Sequence, residues 1–171
     1  PLRDTTLPRM SEHDTKGPRG LGLAFDPTRE PSTPRDAATA IVLREAEPGL
    51  EVFCVVRHKK SGFLGGALVF PGGKVDAADG DPSWASRSAG LDPRTLLFAP
   101  SEAHARALAV AAARETLEEA GVLPLTTVCS PEAVAELRAA LAAGGQLLAC
   151  LGERGLALDT AAFAPFARWI T

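Results

Sequence analysis

The stretch Arg114-Glu115-Thr116-Leu117-Glu118-Glu119-Ala120-Gly121-Val122 carries three glutamates at positions i, i+3 and i+4. That spacing puts all three carboxylates on one face of an α-helix. Taking about 100° per residue, Glu118 and Glu119 fall within about 60° of Glu115, while Val110, Ala113 and Leu117 gather on the opposite side. Like charges so placed cost an isolated helix about 0.2–0.5 kcal/mol per pair. Gly121 reads as the residue that ends the helix, so the acids crowd the negative end of the helix dipole. The arrangement calls for a counter-charge. A hard divalent cation, which takes several carboxylate oxygens and keeps water in its other positions, supplies one; a solvated acidic helix end is the alternative. Ala111 and Ala112, in the preceding turns of the acidic face, are small enough to let another backbone come close.

The approaching backbone is expected from Phe70-Pro71-Gly72-Gly73-Lys74-Val75-Asp76, which follows the apolar run Ala67-Leu68-Val69, a short strand by its pattern. Adjacent glycines open backbone angles closed to other residues and leave carbonyl oxygens bare enough to ligate a metal. The two segments together resemble the signature of the Nudix hydrolases, G-x5-E-x7-R-E-U-x-E-E-x-G-U, with U a bulky apolar residue. Its second half matches residues 114–122, with Thr116 where an aliphatic residue is usual. Its first half matches from Gly73 to Asp79, with aspartate in place of glutamate. Between Asp79 and Arg114 lie 34 residues where the signature has 7, an insertion of 27. The long insertion, the run Ser61-Gly62-Phe63-Leu64-Gly65-Gly66 ahead of FPGG and the aspartate-rich Val75-Asp76-Ala77-Ala78-Asp79 behind it are similar to the group of peroxisomal coenzyme A diphosphatases. The resemblance spans residues 37–171.

The resemblance implies an α/β fold of the Nudix type, an α/β/α sandwich around a mixed sheet. It implies Mg²⁺ (or Mn²⁺) held by Glu115, Glu118, Glu119 and the carbonyl of Gly72, with Arg114 orienting a glutamate by a bidentate contact. Arg57, His58 and Gly73 fall on the substrate's side. Arg57 and His58, with Lys59 and Lys60, either meet phosphate or form a solvated basic loop. The implied reaction is metal-assisted hydrolysis of a diphosphate linkage in a small nucleoside-diphosphate-linked substrate. Coenzyme A or an acyl derivative is the first expectation and ADP-ribose or a dinucleotide the second. A non-catalytic binding or assembly module is the alternative from another class. Related proteins continue into further strands after a segment like Ala167-Arg168-Trp169-Ile170-Thr171, so the sheet is expected to be incomplete at its C-terminus. A longer polypeptide, a complementing chain or a homodimer would then close it.

Composition agrees with one globular domain: 171 residues, 46% apolar and 23% charged, are enough for a real core. A formal charge of −3 gives no electrostatic reason to expect nucleic acid. No apolar run nears the ~20 residues that span a bilayer, and no signal-peptide pattern opens the chain; a cytoplasmic location is expected. Cys54, Cys129 and Cys150 lack CxxC spacing and read as reduced thiols, Cys54 in the core. Residues 1–36 hold prolines at 1, 8, 18, 27, 31 and 34 and read as an extended arm, with Leu21-Gly22-Leu23-Ala24-Phe25 as its one apolar knot. A strand over 38–43 is expected to pair with another over 50–57 across Pro48-Gly49. Residues 80–100 read as a lid or a dimer contact. Ser101 should N-cap a helix running to Ala120, and Ser130-Pro131-Glu132 should open a second that stops at Gly144. A short apolar helical stretch is expected within 159–171. His104 lies eleven residues before Glu115, about 16 Å along a helix, too far to share its ion.

Overall fold

A computed structural model describes residues 30, 33–59 and 65–168. The chain divides into two units, Pro1–Ser32 and Thr33–Thr171, and the description below concerns the second. The apolar knot at residues 21–25, the loop at 60–64 and the terminal Trp169-Ile170-Thr171 lie outside the described residues.

In chain order the elements are β1 (Ala37–Thr39), β2 (Leu43–Ala46), β3 (Gly49–Val52), β4 (Val55–Val56), β5 (Leu68–Val69) and β6 (Gly72–Lys74). A 3₁₀ turn, Ala77–Gly80, leads to α1 (Trp84–Arg87), β7 (Ser88–Ala89) and a second 3₁₀ turn, Pro93–Leu97. Then come α2 (Glu102–Ala120), α3 (Pro131–Ala142), α4 (Leu147–Glu153), β8 (Leu158–Asp159) and a last 3₁₀ turn, Thr160–Ala162. The strands form two-stranded ladders: β1–β6, β2–β3 and β4–β5 antiparallel, β7–β8 parallel. The architecture is α/β with strands of both orientations, as expected.

The strand expected over 38–43 is broken at residues 40–42. The hairpin across Pro48-Gly49 does form, but from Leu43–Ala46 and Gly49–Val52, Leu43 opposite Val52 and Glu45 opposite Leu50, and the partner expected over 50–57 is broken at residues 53–54. The first half of the 38–43 strand instead pairs with the glycines of the FPGG segment, Ala38 opposite Gly73 and Thr39 opposite Gly72. Glycine has little intrinsic strand preference, which is why the pattern hid β6. Here the missing side chain is what admits β1: a Cβ on Gly72 would stand 2.5 Å from the Ala38 carbonyl oxygen and 2.8 Å from the Thr39 hydroxyl.

Both long helices have the expected caps. The Ser101 hydroxyl accepts from the His104 N–H at 3.2 Å, and Gly121 closes α2 at φ 67°, in the left-handed region. The Ser130 hydroxyl accepts from Ala133 N–H at 3.3 Å, with Pro131 at the first helical position of α3. Each serine cap is worth about 1 kcal/mol.

The core joins Val110, Ala113 and Leu117 of α2 to Leu137 and Leu141 of α3, Leu147 and Leu151 of α4, Leu158 and Trp84. Trp84 shows that residues 80–100, read as a lid or dimer contact, are in part core. It is 1% exposed, and its indole N–H donates to the Ala78 carbonyl at 2.9 Å. The residues after it pair with β8. The insertion thus contributes to the core at one end, while Leu96 and Leu97 face outward. The expected apolar helix in the tail is a 3₁₀ turn, because the Thr160 hydroxyl is drawn to the carbonyls of Ala89 and Gly90.

The β2–β3 hairpin is two-faced. Arg44 Nε donates to Glu51 Oε2 at 2.6 Å on one face, and Leu43, Leu50 and Val52 stand exposed on the other. Val56 and Leu68, paired across β4–β5, are exposed as well. Cys54, expected in the core, is exposed with them; Cys129 is half-buried and Cys150 buried, all three free. Among the described residues no helix is long and apolar enough to cross a membrane.

Candidate active site

Helix α2 buries its Val110, Ala113 and Leu117 side in the core and lays β1, β6 and the Ala77–Gly80 turn against other faces. Ala111 and Ala112 are buried, so the small residues do admit a close backbone. The glycine strand reaches the acidic face. A Cβ on Gly73 would fall inside the Glu115 carboxylate, and the Gly72 N–H donates to Glu119 Oε2 at 3.2 Å. The ladder explains this orientation. Ala40 N–H to Pro71 O (2.9 Å) and Val75 N–H to Asp36 O (3.0 Å) flank it, and the two-residue alternation of antiparallel pairing turns the Gly72 N–H and carbonyl away from β1. The carbonyl expected as a ligand therefore shares the edge on which Glu119 takes the N–H.

Arg114 is the hub of the site. Its Nε donates to Asp79 Oδ1 at 3.0 Å and its Nη2 to Asp79 Oδ2 at 2.9 Å. Nη1 reaches Glu115 Oε1 at 2.9 Å, Nη2 also donates to the Lys74 carbonyl at 3.0 Å, and Glu118 Oε2 stands 3.6 Å from Nη1. The fork expected on a glutamate is thus made with Asp79, and Glu115 receives a single bond. Asp79 is 3% exposed and also accepts the Asp76 N–H at 2.8 Å, closing the capping box of its 3₁₀ turn. The insertion does not displace it: the two halves of the signature, far apart in sequence, meet through this pair.

Asp79's hydrogen bonds hold the Arg114 guanidinium above its already high ordinary pKa. Burial pushes the Glu115 carboxyl up; Arg114 offsets this in part, and the charges of Glu118 and Glu119 add to it. Thr116, in the aliphatic slot of the signature, is buried with its hydroxyl donating to the Ala112 carbonyl at 2.6 Å. Such back-bonding to i−4 satisfies the hydroxyl inside the helix.

The donor set around β6 and α2 is carboxylate and carbonyl oxygen throughout, the chemistry of a hard divalent cation. Among the described residues no three His, Cys, Asp or Glu side chains close on one point that could hold an ion. Glu115 is turned to Arg114 and Glu119 to the Gly72 N–H, while the Glu118 side chain, 39% exposed, is the least restrained. The residues fit such a cation by donor type. Arg57 is exposed on the other hairpin, its main chain bonded to Ala67 and Gly66, and His58 follows it. His104 Nε2 stands 3.6 Å from Asp36 Oδ1, away from the acids as its spacing requires.

Two features were not legible beforehand. Arg138 of α3 donates from Nε to the main-chain carbonyl of Glu118 at 2.9 Å. A lone arginine on an amphipathic helix carries no sequence signal for that. The turn before α4 brings Gln146 to a cavity of ≈ 210 Å³ shared with Asp76, Arg114 and Glu118.

No family model matches the chain. A solved structure, that of a NUDIX hydrolase from Alicyclobacillus acidocaldarius, is 35% identical in a match covering 76% of this chain and 59% of that one, with a TM-score of 0.58. The fold is that of the Nudix superfamily. The residues that resemble the Nudix signature are Gly73 and Asp79 ahead of the insertion and Arg114, Glu115, Glu118 and Glu119 on α2, and the Asp79–Arg114 fork and the Gly73–Glu115 contact bring its two halves together in space. The chain spans 59% of the length of that Nudix relative.

Proposed function

We propose that the chain is a Mg²⁺- or Mn²⁺-dependent hydrolase of a diphosphate linkage in a nucleoside-diphosphate-linked small molecule. The observation that carries this reading is the glycine strand lying against the glutamate face, with Gly73 abutting the Glu115 carboxylate and Gly72 N–H on Glu119. The 35% identity to a NUDIX hydrolase supports it. Glu115, Glu118, Glu119 and the Gly72 carbonyl would hold the cation, which when bound supplies positive charge to the phosphate oxygens and acidifies the attacking water. The chain's own part is positioning. Arg114, clamped by Asp79, fixes Glu115 in one orientation, and the absence of a Cβ at Gly73 lets the strand and its substrate come within reach of the acids. Gly73 thereby serves on the substrate's side, and Arg57 and His58 are the basic residues that the sequence assigns to that side. Coenzyme A or an acyl derivative is the substrate favoured by the sequence around FPGG, cleaved to a phosphopantetheine fragment and adenosine 3′,5′-bisphosphate; ADP-ribose or a dinucleoside polyphosphate is the alternative.

The test is turnover of a panel of these compounds with Mg²⁺ or Mn²⁺ by the parent chain and by Glu118→Gln and Glu119→Gln. Each substitution removes a charge from the acidic face, and the expected loss is at least roughly 10- to 100-fold, the range found when a mere hydrogen-bond partner of a metal ligand is removed, with the melting temperature of the metal-free chain unchanged or raised. Full metal-dependent activity in both variants would show that the site is wrongly placed. Activity on ADP-ribose and none on coenzyme A would transfer the substrate to the alternative.

A further inference from the structure

Glu118 stands between two cavities. The first is the ≈ 210 Å³ space shared with Asp76, Arg114 and Gln146. The second, ≈ 410 Å³, is lined by Glu118, Arg138, Leu141 and Ala142, and Arg138 is its one cation among the described residues. The Nε bond from Arg138 to the Glu118 carbonyl closes one of the acceptors that a helix leaves unmatched in its last turn. That bond uses one of five guanidinium N–H groups. Among the described residues Arg138 makes no ion pair, although Glu118 lines the same cavity and the negative end of α2 lies beside it. A guanidinium pinned by its Nε, with its remaining N–H groups unspent at the mouth of a cavity, is a fork already oriented for a phosphoryl group. A cap for the helix end alone would need only one donor and no cavity.

We propose that Arg138 contacts a phosphoryl oxygen of the substrate and positions the diphosphate beside Glu118, with the Leu141 and Ala142 wall taking the less polar part of one substituent. The proposal rests on the hydrolase reading above, and Arg138 belongs to none of the signature positions.

Arg138→Gln keeps a side-chain N–H for the Glu118 carbonyl and removes the charge; Arg138→Lys keeps the charge and loses the fork. With a substrate from the panel, the expected result for Arg138→Gln is a KM raised roughly 10- to 100-fold, as for loss of charge-assisted hydrogen bonds. Its kcat should stay within about threefold and its metal-free melting temperature within about 2 °C of the parent. Arg138→Lys should fall between the two. An unchanged KM in Arg138→Gln overturns the inference and leaves the hydrolase reading standing. If Arg138→Gln does not fold, Arg138→Lys decides in the same way, a raised KM upholding the contact and an unchanged one overturning it. If the parent hydrolyses nothing, the hydrolase reading fails, and calorimetric titration with inorganic pyrophosphate and Mg²⁺ reads the contact instead. Binding at least about tenfold weaker in Arg138→Gln upholds it; equal binding, or none by the parent, overturns it.

Discussion

Replacing Asp79 with Asn tests whether the insertion leaves the Nudix signature intact. Asp79 accepts three hydrogen bonds at 3% exposure: the Asp76 N–H at 2.8 Å, Arg114 Nε at 3.0 Å and Arg114 Nη2 at 2.9 Å. Asparagine has one oxygen for this work, and its NH₂ must face Arg114 Nε in one orientation or both Arg114 Nη2 and the Asp76 N–H in the other, a donor against a donor. Losing one charge-assisted bond costs about 1.5–3 kcal/mol. The full 3–5 kcal/mol of an orphaned buried charge is not reached, because Arg114 keeps Glu115 and the Lys74 carbonyl and its side chain is 13% exposed. The net expectation is about 2–3 kcal/mol, or a fall of about 6–12 °C in melting temperature for a unit of this size. Hydrolysis should fall as well, since an unclamped Arg114 can swing towards Glu118. Asp79→Glu restores the residue of the family signature; it keeps the charge and must fit an added methylene at about 1–3 kcal/mol, so it should retain more activity than Asp79→Asn. The assay is thermal melting of the metal-free chains alongside turnover. If Asp79→Asn melts within about 2 °C of the parent, the Asp79–Arg114 fork does not hold the site and the reasoning is wrong.

Gly73→Ala puts a Cβ where the Glu115 carboxylate sits; it should cost about 1–3 kcal/mol by urea denaturation and lower turnover, and an unaffected variant would separate β6 from the site. Trp84→Ala should cost about 3–5 kcal/mol, whereas a lid residue would change stability by about 0.5 kcal/mol or less. The Glu115 carboxyl is raised from its ordinary 4.5, first by burial and then by its acidic neighbours. The folded metal-free chain therefore binds that proton more tightly than the unfolded chain, and stability must fall as pH rises from 4.5 through the folded value. The difference between parent and Glu115→Gln melting temperatures should slope downward over that interval, and a flat or rising difference refutes the assignment.

The acidic helix was legible because every signal for it is local: a serine cap, a 3.6-residue apolar seam, three glutamates on the other side and a glycine stop. The structure repeats it from Glu102 to Ala120. The partner of that helix was legible only in part. FPGG could be placed near the acids by chemistry, yet its pairing with Ala38 depends on a long-range contact that two glycines permit and no periodicity announces. The meeting of Asp79 with Arg114 is equally hidden, since 34 intervening residues say nothing of whether the ends of an insertion meet again. Trp84 is the physical answer: its indole packs in the core with Val110, Ala113 and Leu117 of α2 and bonds to Ala78, so the turn that carries Asp79 is anchored next to the helix that carries Arg114. Alternation misled in the opposite direction at Cys54. A period of two assigns residues to one face of a strand or the other, but what covers a face is decided by elements elsewhere in the chain. Leu43, Leu50, Val52, Val56 and Leu68 carry the pattern of a buried sheet and stand exposed. The motif thus specified the acidic face through short-range geometry, whereas the packing of the strands required knowledge of what lies against them.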